Sequence, residues 1–101
     1  MDYNEKLEAL RVAMSADTED FYGRSGYNYP GVERNWEVRV VPGKKYDKVD
    51  RYQSGVLMVE RETGRIYGIK GYGVIHRGHQ YGTLDTIEQW YWGTYKPTKR
   101  G

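Results

Sequence analysis

The chain has no cysteine. That excludes disulfide staples, thiolate metal sites and cysteine nucleophiles, and it fits a reducing compartment. It also lacks any apolar run approaching the roughly 20 residues that cross a bilayer. The opening Met1-Asp2-Tyr3-Asn4-Glu5 is acidic and polar, the opposite of a secretory leader. We therefore read a cytoplasmic chain with no membrane partner. Hydrophobic residues make up only 38% of the sequence, below the share of ordinary globular domains.

Aromatic residues make good that shortage. Eleven tyrosines and three tryptophans stand beside a single phenylalanine, and each large ring can bury on the order of 150–250 Å². A disordered chain would lack them. The length of 101 residues bounds the protein to one domain with one modest core. Charge is uneven. Residues 1–34 hold four Lys/Arg and seven Asp/Glu, a balance of −3, and the remainder holds twelve and seven, a balance of +5. A basic C-terminal two-thirds can attract phosphates or an acidic protein, or can simply solvate a sheet surface.

Leu7, Leu10, Met14 and Phe21 recur at helical spacing, which predicts a helix over roughly 4–20 in a helical segment 1–22, with Asn4 as N-cap. Gly23, Gly26, Pro30 and Gly31 make 23–34 a loop, either mobile or packed down by Tyr27 and Tyr29. The period then changes to two. Trp36, Val38 and Val40 alternate with Glu37 and Arg39, Lys44–Tyr52 is a weaker strand, and Ser54-Gly55 reads as the next turn. Val56–Val59 and Arg65–Ile69 form the clearest hairpin, turning at Gly64. A last strand over 72–76 completes a sheet spanning 35–77. In the 83–93 segment Asp85-Thr86-Ile87-Glu88 resembles a capping box opening a short helix, while Gln89-Trp90-Tyr91-Trp92 competes as a strand. We take the helix. The basic tail 96–101 is expected to fray. The fold class is α+β: an N-terminal helix on a three- to four-stranded antiparallel meander, with a short aromatic C-terminal helix.

No catalytic constellation emerges. Ser15, Ser25 and Ser54 lie in no nucleophile elbow, and no carboxylate pair is set apart. His76 and His79 are three apart, but a zinc site needs at least a third ligand, for which Asp85 or another carboxylate would have to serve. Gly68, Gly71, Gly73, Gly78 and Gly82 lack the Gly-Lys-Ser/Thr ending of a phosphate loop and better suit bends in a sheet. We expect no enzyme, no metal and no cofactor.

Two binding readings remain. Tyr27, Tyr29, Trp90 and Trp92 are ring-bearing residues of the kind that dominate protein interfaces, so a protein partner or self-association is expected through them. Alternatively Lys44, Lys45, Lys48, Arg51, Arg65, Lys70 and Arg77 interleave with tyrosines, as on a sheet that stacks bases and holds phosphates. Asp47, Asp50, Glu60 and Glu62 dilute that patch. A structural homo-oligomer is the third reading.

The stretch Gly43-Lys-Lys-Tyr46-Asp-Lys48, followed by Val56-Leu-Met-Val59-Glu60-Arg-Glu-Thr63-Gly64-Arg-Ile66-Tyr67, resembles a family of small uncharacterised accessory proteins of actinobacteriophages. The resemblance covers about a quarter of the chain and rests on a basic Gly-x-Lys-Tyr segment and a Thr-Gly hairpin. Gly68 stands where the family commonly has lysine, and the Trp-Tyr-Trp ending differs. The resemblance implies a phage protein that acts in the host cytoplasm by binding a host or phage macromolecule. It carries over no catalytic residue.

Overall fold

The computed structural model describes residues 1–100. Helix α1 runs Tyr3–Arg24. Its cap is Asp2, not Asn4: Oδ1 of Asp2 accepts from the Glu5 amide at 2.8 Å, and the Glu5 carboxylate reaches back to the Asp2 amide at 3.5 Å. This reciprocal pairing satisfies two donors that a helix start leaves free. Leu7, Leu10 and Met14 are buried as the periodicity predicts. Thr18, rather than Phe21, completes the stripe, and its hydroxyl donates to the Met14 carbonyl at 2.7 Å, which makes a polar residue tolerable in a dry position. The helix extends past 20 and ends where the Ser25 amide bonds the Phe21 carbonyl and Gly26 turns to φ 76°.

A five-stranded antiparallel meander follows: β1 Val38–Val41, β2 Tyr46–Arg51, β3 Ser54–Glu60, β4 Arg65–Gly71 and β5 Val74–Thr83, in that spatial order. The class is α+β as read, with more strands than the three or four expected. Trp36 belongs to a single 3-10 turn, Val32–Trp36, ahead of β1. The sheet reaches Thr83, beyond residue 77, because β5 resumes pairing after a bulge. His76 faces Gly68 and Gln80 faces Tyr67, so residues 77–79 loop out of the ladder.

Register assigns the faces. Val49 pairs with Leu57, and Val59 with Ile66. With Val38, Val56, Tyr81, Leu84 and Trp92 these form one core against Leu7, Leu10 and Met14 of α1. Each such fully buried aliphatic side chain contributes about 1.5–3 kcal/mol. On the opposite face Met58 and Tyr67 are buried, the Tyr46 ring meets Tyr67 edge-on at 6.3 Å, and Lys48 lies over Tyr72 at 5.0 Å. The β3–β4 hairpin turns at Gly64, as expected: φ is 76° and its amide bonds the Glu60 carbonyl at 2.8 Å.

The C-terminal segment departs from the helix we expected. Only Ile87–Gln89 form a 3-10 turn, after which β6 Trp90–Tyr91 pairs antiparallel with β7 Thr98–Lys99. The Thr86 hydroxyl accepts from the Thr83 amide instead of capping a helix. Extended backbone lets Trp92 swing into the core at 1% exposure, with its indole nitrogen donating to the Ile87 carbonyl at 3.0 Å and its amide donating to Asp17 at 2.9 Å. The described part of the tail is tied to the body of the molecule. Pro97 is buried, and Arg100 bonds the Trp90 carbonyl and Asp17 at 3.0 and 2.8 Å. Gly101 lies outside the described residues.

Candidate protein-docking site

The β2–β3 connection is a two-residue loop. Arg51 pairs with Ser54, leaving Tyr52 and Gln53 at the tip. The turn is therefore not Ser54-Gly55, which lie inside β3. Gly55 lies beneath the Tyr72 ring, where an added Cβ would sit 2.7 Å from it and force that exposed ring to shift. Hairpin loops of two residues place positive φ at the first position, normally on Gly or Asn. Here it is Tyr52, at φ 52°, the one non-glycine residue with positive φ among those described. Left-handed backbone costs an ordinary L-residue about 1–2 kcal/mol. The Tyr52 amide donates to the Glu37 carbonyl at 2.7 Å, which pins the loop to the chain entering β1.

Three hollows meet at Tyr52. One of about 370 Å³ is lined by Glu37, Val38, Arg39, Tyr52 and Gln53. A second, of about 380 Å³, lies between Tyr52 and the loop Tyr29, Pro30, Gly31, Arg34 and Asn35. The third is smaller, about 190 Å³, and has walls of Tyr22, Asn35, Arg51, Tyr52, Ser54, Val56 and Tyr95. The second and third share Asn35 and Tyr52. Tyr27, Tyr29 and Tyr95 are exposed around them.

Local bonds fix this surface. Asn35 donates to the Tyr29 hydroxyl and to the Val32 carbonyl, both at 2.8 Å, so the 3-10 turn holds the loop tyrosine. Tyr22 stacks at a tilt on Tyr27 at 5.4 Å and on Trp36 at 6.3 Å. Of the loop 23–34, Tyr27 leans on the helix end through Tyr22 and Tyr29 is tied to Asn35, while both rings stay exposed.

Arg51 is the unusual charge of the site. Nη2 donates to the Trp92 carbonyl at 2.6 Å and, at 3.4 Å, to that of Thr94. Its Nε is buried without a partner. No ion pair joins it to a carboxylate among the described residues. Burial pushes its guanidinium below the usual arginine range, countered by the Tyr22 phenol.

Tyr29, exposed, lines the second hollow, and Tyr27 is exposed beside Tyr22, which lines the third. Trp92 is not exposed: it is core, and it corrects the proposal of an interface ring there. Trp90 is half-buried elsewhere, edge-on to Tyr81 at 5.4 Å and beneath Lys99 at 5.5 Å. The seven cations do not share a face. Lys44 and Lys45 are exposed in the β1–β2 loop. Lys48 lies on the side of Met58, opposite the helix, whereas Arg51 points into the helix side on the Trp92 carbonyl. Arg65 and Lys70 are exposed at the two ends of β4, and Arg77 in the bulge of β5. His76 and His79 stack at 3.9 Å, but no group of three metal-type ligands exists among the described residues, and Asp85 pairs instead with Lys6 at 2.7 Å. Gly68 sits between register shifts and leaves room for His79 and Tyr81, so it serves curvature.

Sequence reasoning missed Tyr52, Tyr95, Arg34 and Asn35 as site residues. No local signal marks the tip, since Tyr52-Gln53 carries none of the Gly, Asn or Asp that short hairpin turns favour. No protein-family model matches the chain, and no curated protein or solved structure is significantly similar to it.

Proposed function

We propose that this chain is a non-enzymatic, phage-type accessory protein that acts in the bacterial host cytoplasm by binding another protein, and that the partner docks on the tyrosine-lined hollows around Tyr52. The supporting observation is Tyr52 itself: a bulky side chain held in backbone that glycine would adopt freely, at the meeting point of three hollows. A strained residue of this kind is a reason to look for function. Tyrosine supplies large, stiff contact area and a polar tip, which is why it recurs at binding hot spots. Tyr27, Tyr29 and Tyr95 offer such rings already in solvent. The three hollows carry Arg34, Arg39 and Arg51 against one carboxylate, Glu37, so the surface favours an acidic partner.

The test is affinity capture from an actinobacterial lysate, identification of the bound protein, and titration of the purified pair. Tyr29→Ala and Tyr95→Ala each weaken that pair by about tenfold or more, as hot-spot truncations do, without moving the unfolding midpoint. A purified partner that binds both variants as it binds the parent overturns the docking site. A partner-free chain that instead retards nucleic acid at low salt, with steep loss as salt rises, overturns the protein-binding reading. Concentration-dependent sedimentation with the tyrosine variants monomeric would make the partner a second copy.

A further inference from the structure

We propose that the Arg51 hollow receives the carboxylate of an acidic side chain from the docking partner, an inference that rests on the docking site above. Arg51 is an incomplete ion site as it stands. Its Nη2 edge is held by two main-chain carbonyls, which fixes the guanidinium plane and leaves the charge without a counter-ion among the described residues. A desolvated cation in that condition is costly, and the cost is recovered when an anion joins it. The Nε without a partner lies on the same group.

Size and charge select the anion. The hollow of about 190 Å³ holds on the order of six waters at ~30 Å³ each, room for a carboxylate on a short side chain. Drug-sized or nucleotide ligands fill roughly 300–1,000 Å³. Arg51 is the one cation lining this hollow, matching one negative charge, whereas phosphorylated groups are met by clusters of arginines. Tyr22, Tyr52 and Tyr95 line the site, and a partner segment seated among them would displace its water, which strengthens a charge-assisted hydrogen bond. Arg34, in the adjoining hollow across Asn35 and Tyr52, is placed for a second acidic residue of the same segment.

The probe is an N-acetylated, C-amidated tetraglutamate peptide, with tetraglutamine and inorganic phosphate as comparisons. The arginine Nε–H signals of the nitrogen-15-labelled protein are followed by NMR, and the Arg51 signal is assigned by its absence in Arg51→Lys. Tetraglutamate shifts that signal saturably at millimolar concentration or below, and the shift shrinks as salt rises. Tetraglutamine does not shift it. Arg34→Gln, an exposed position outside the core, weakens the tetraglutamate titration severalfold while the fold is unchanged. An unmoved Arg51 signal, an equal response to tetraglutamine, or tighter binding of phosphate than of the peptide overturns the proposal. If it is overturned while Tyr29→Ala and Tyr95→Ala still weaken the purified partner, the docking site stands alone. If the carboxylate binds and those variants leave the partner unaffected, the docking reading is the one that falls.

Discussion

A carboxylate taken out of water must recover its lost hydration from its neighbours, and Asp47, at 1% exposure, does so with four hydrogen bonds. Arg61 Nη1 donates to both of its oxygens at 2.9 and 2.8 Å, the Tyr3 hydroxyl donates at 2.8 Å and the Gly43 amide at 3.0 Å. One residue thus ties the first turn of α1 to the β1–β2 loop and to the β3–β4 turn. Asp47→Ala leaves the Tyr3 hydroxyl and the Gly43 amide without their acceptor, while the part-exposed Arg61 turns to water, and is expected to cost about 2 kcal/mol, read as a lower urea midpoint at an unchanged slope. Asp50 is also buried, yet its Oδ2 has only the Tyr72 hydroxyl, at 2.9 Å, and its Oδ1 has nothing. Asp50→Asn should therefore cost clearly less than Asp47→Ala, and equal losses would show that burial rather than bonding sets the value of these carboxylates. Neither role was legible in the sequence. Between Tyr46 and Arg51 the acids read as dilution of a basic strand, since only the third dimension brings Arg61 and Tyr3 to Asp47. Arg51 was misread for the same reason, because the carbonyls it bonds belong to residues 92 and 94.

Elements repeat the contrast on a larger scale. α1 and the β3–β4 hairpin were readable, because a stripe at helical spacing and a Thr-Gly turn are local patterns that burial then satisfies. The β2–β3 tip was not, because its first residue breaks the usual turn chemistry. That departure makes a prediction. Tyr52→Gly removes the left-handed strain, worth about 1 kcal/mol, and loses some ring packing and unfolded-state restriction of similar size. Stability is expected to stay within about 1 kcal/mol of the parent, while affinity for the purified partner falls with the ring. A large loss of stability would make Tyr52 a packing residue and remove the reason for assigning it a binding role. The 83–93 segment was misread because its local signals point both ways. The helix-like Asp-Thr-Ile-Glu lost to contacts distant in sequence: Trp92 to Asp17, Tyr91 to Asp17 and Asp20, and Arg100 to Asp17. Asp17, on the helix, thereby organises the far end of the chain.

For the molecule as a whole, the abundance of tyrosine that replaces aliphatic bulk has a consequence for pH. The class, a helix on an antiparallel meander, followed from periodicity, but how far the phenols sink into the structure did not. Burial raises the Tyr3 phenol far above its ordinary value, reinforced by its hydrogen bond to Asp47. Burial likewise raises Tyr81 and Tyr91, and the bond to Asp50 raises Tyr72. In the unfolded chain these groups ionise near pH 10. Below that both states hold the protons, and the phenols add no pH dependence. As pH climbs through about 10 the unfolded chain gives up protons that the folded one keeps, so it binds fewer protons and stability must fall. Urea midpoints measured from pH 8 to 11 should be flat at first and then drop. Tyr3→Phe should lie lower at pH 8, having lost one bond to Asp47, yet fall less steeply across the alkaline limb. Lysine deprotonation acts on both proteins alike, so the difference between the two slopes isolates the phenol. Parallel slopes would mean that Tyr3 ionises as freely in the folded protein as in the unfolded chain, and would overturn the raised phenol.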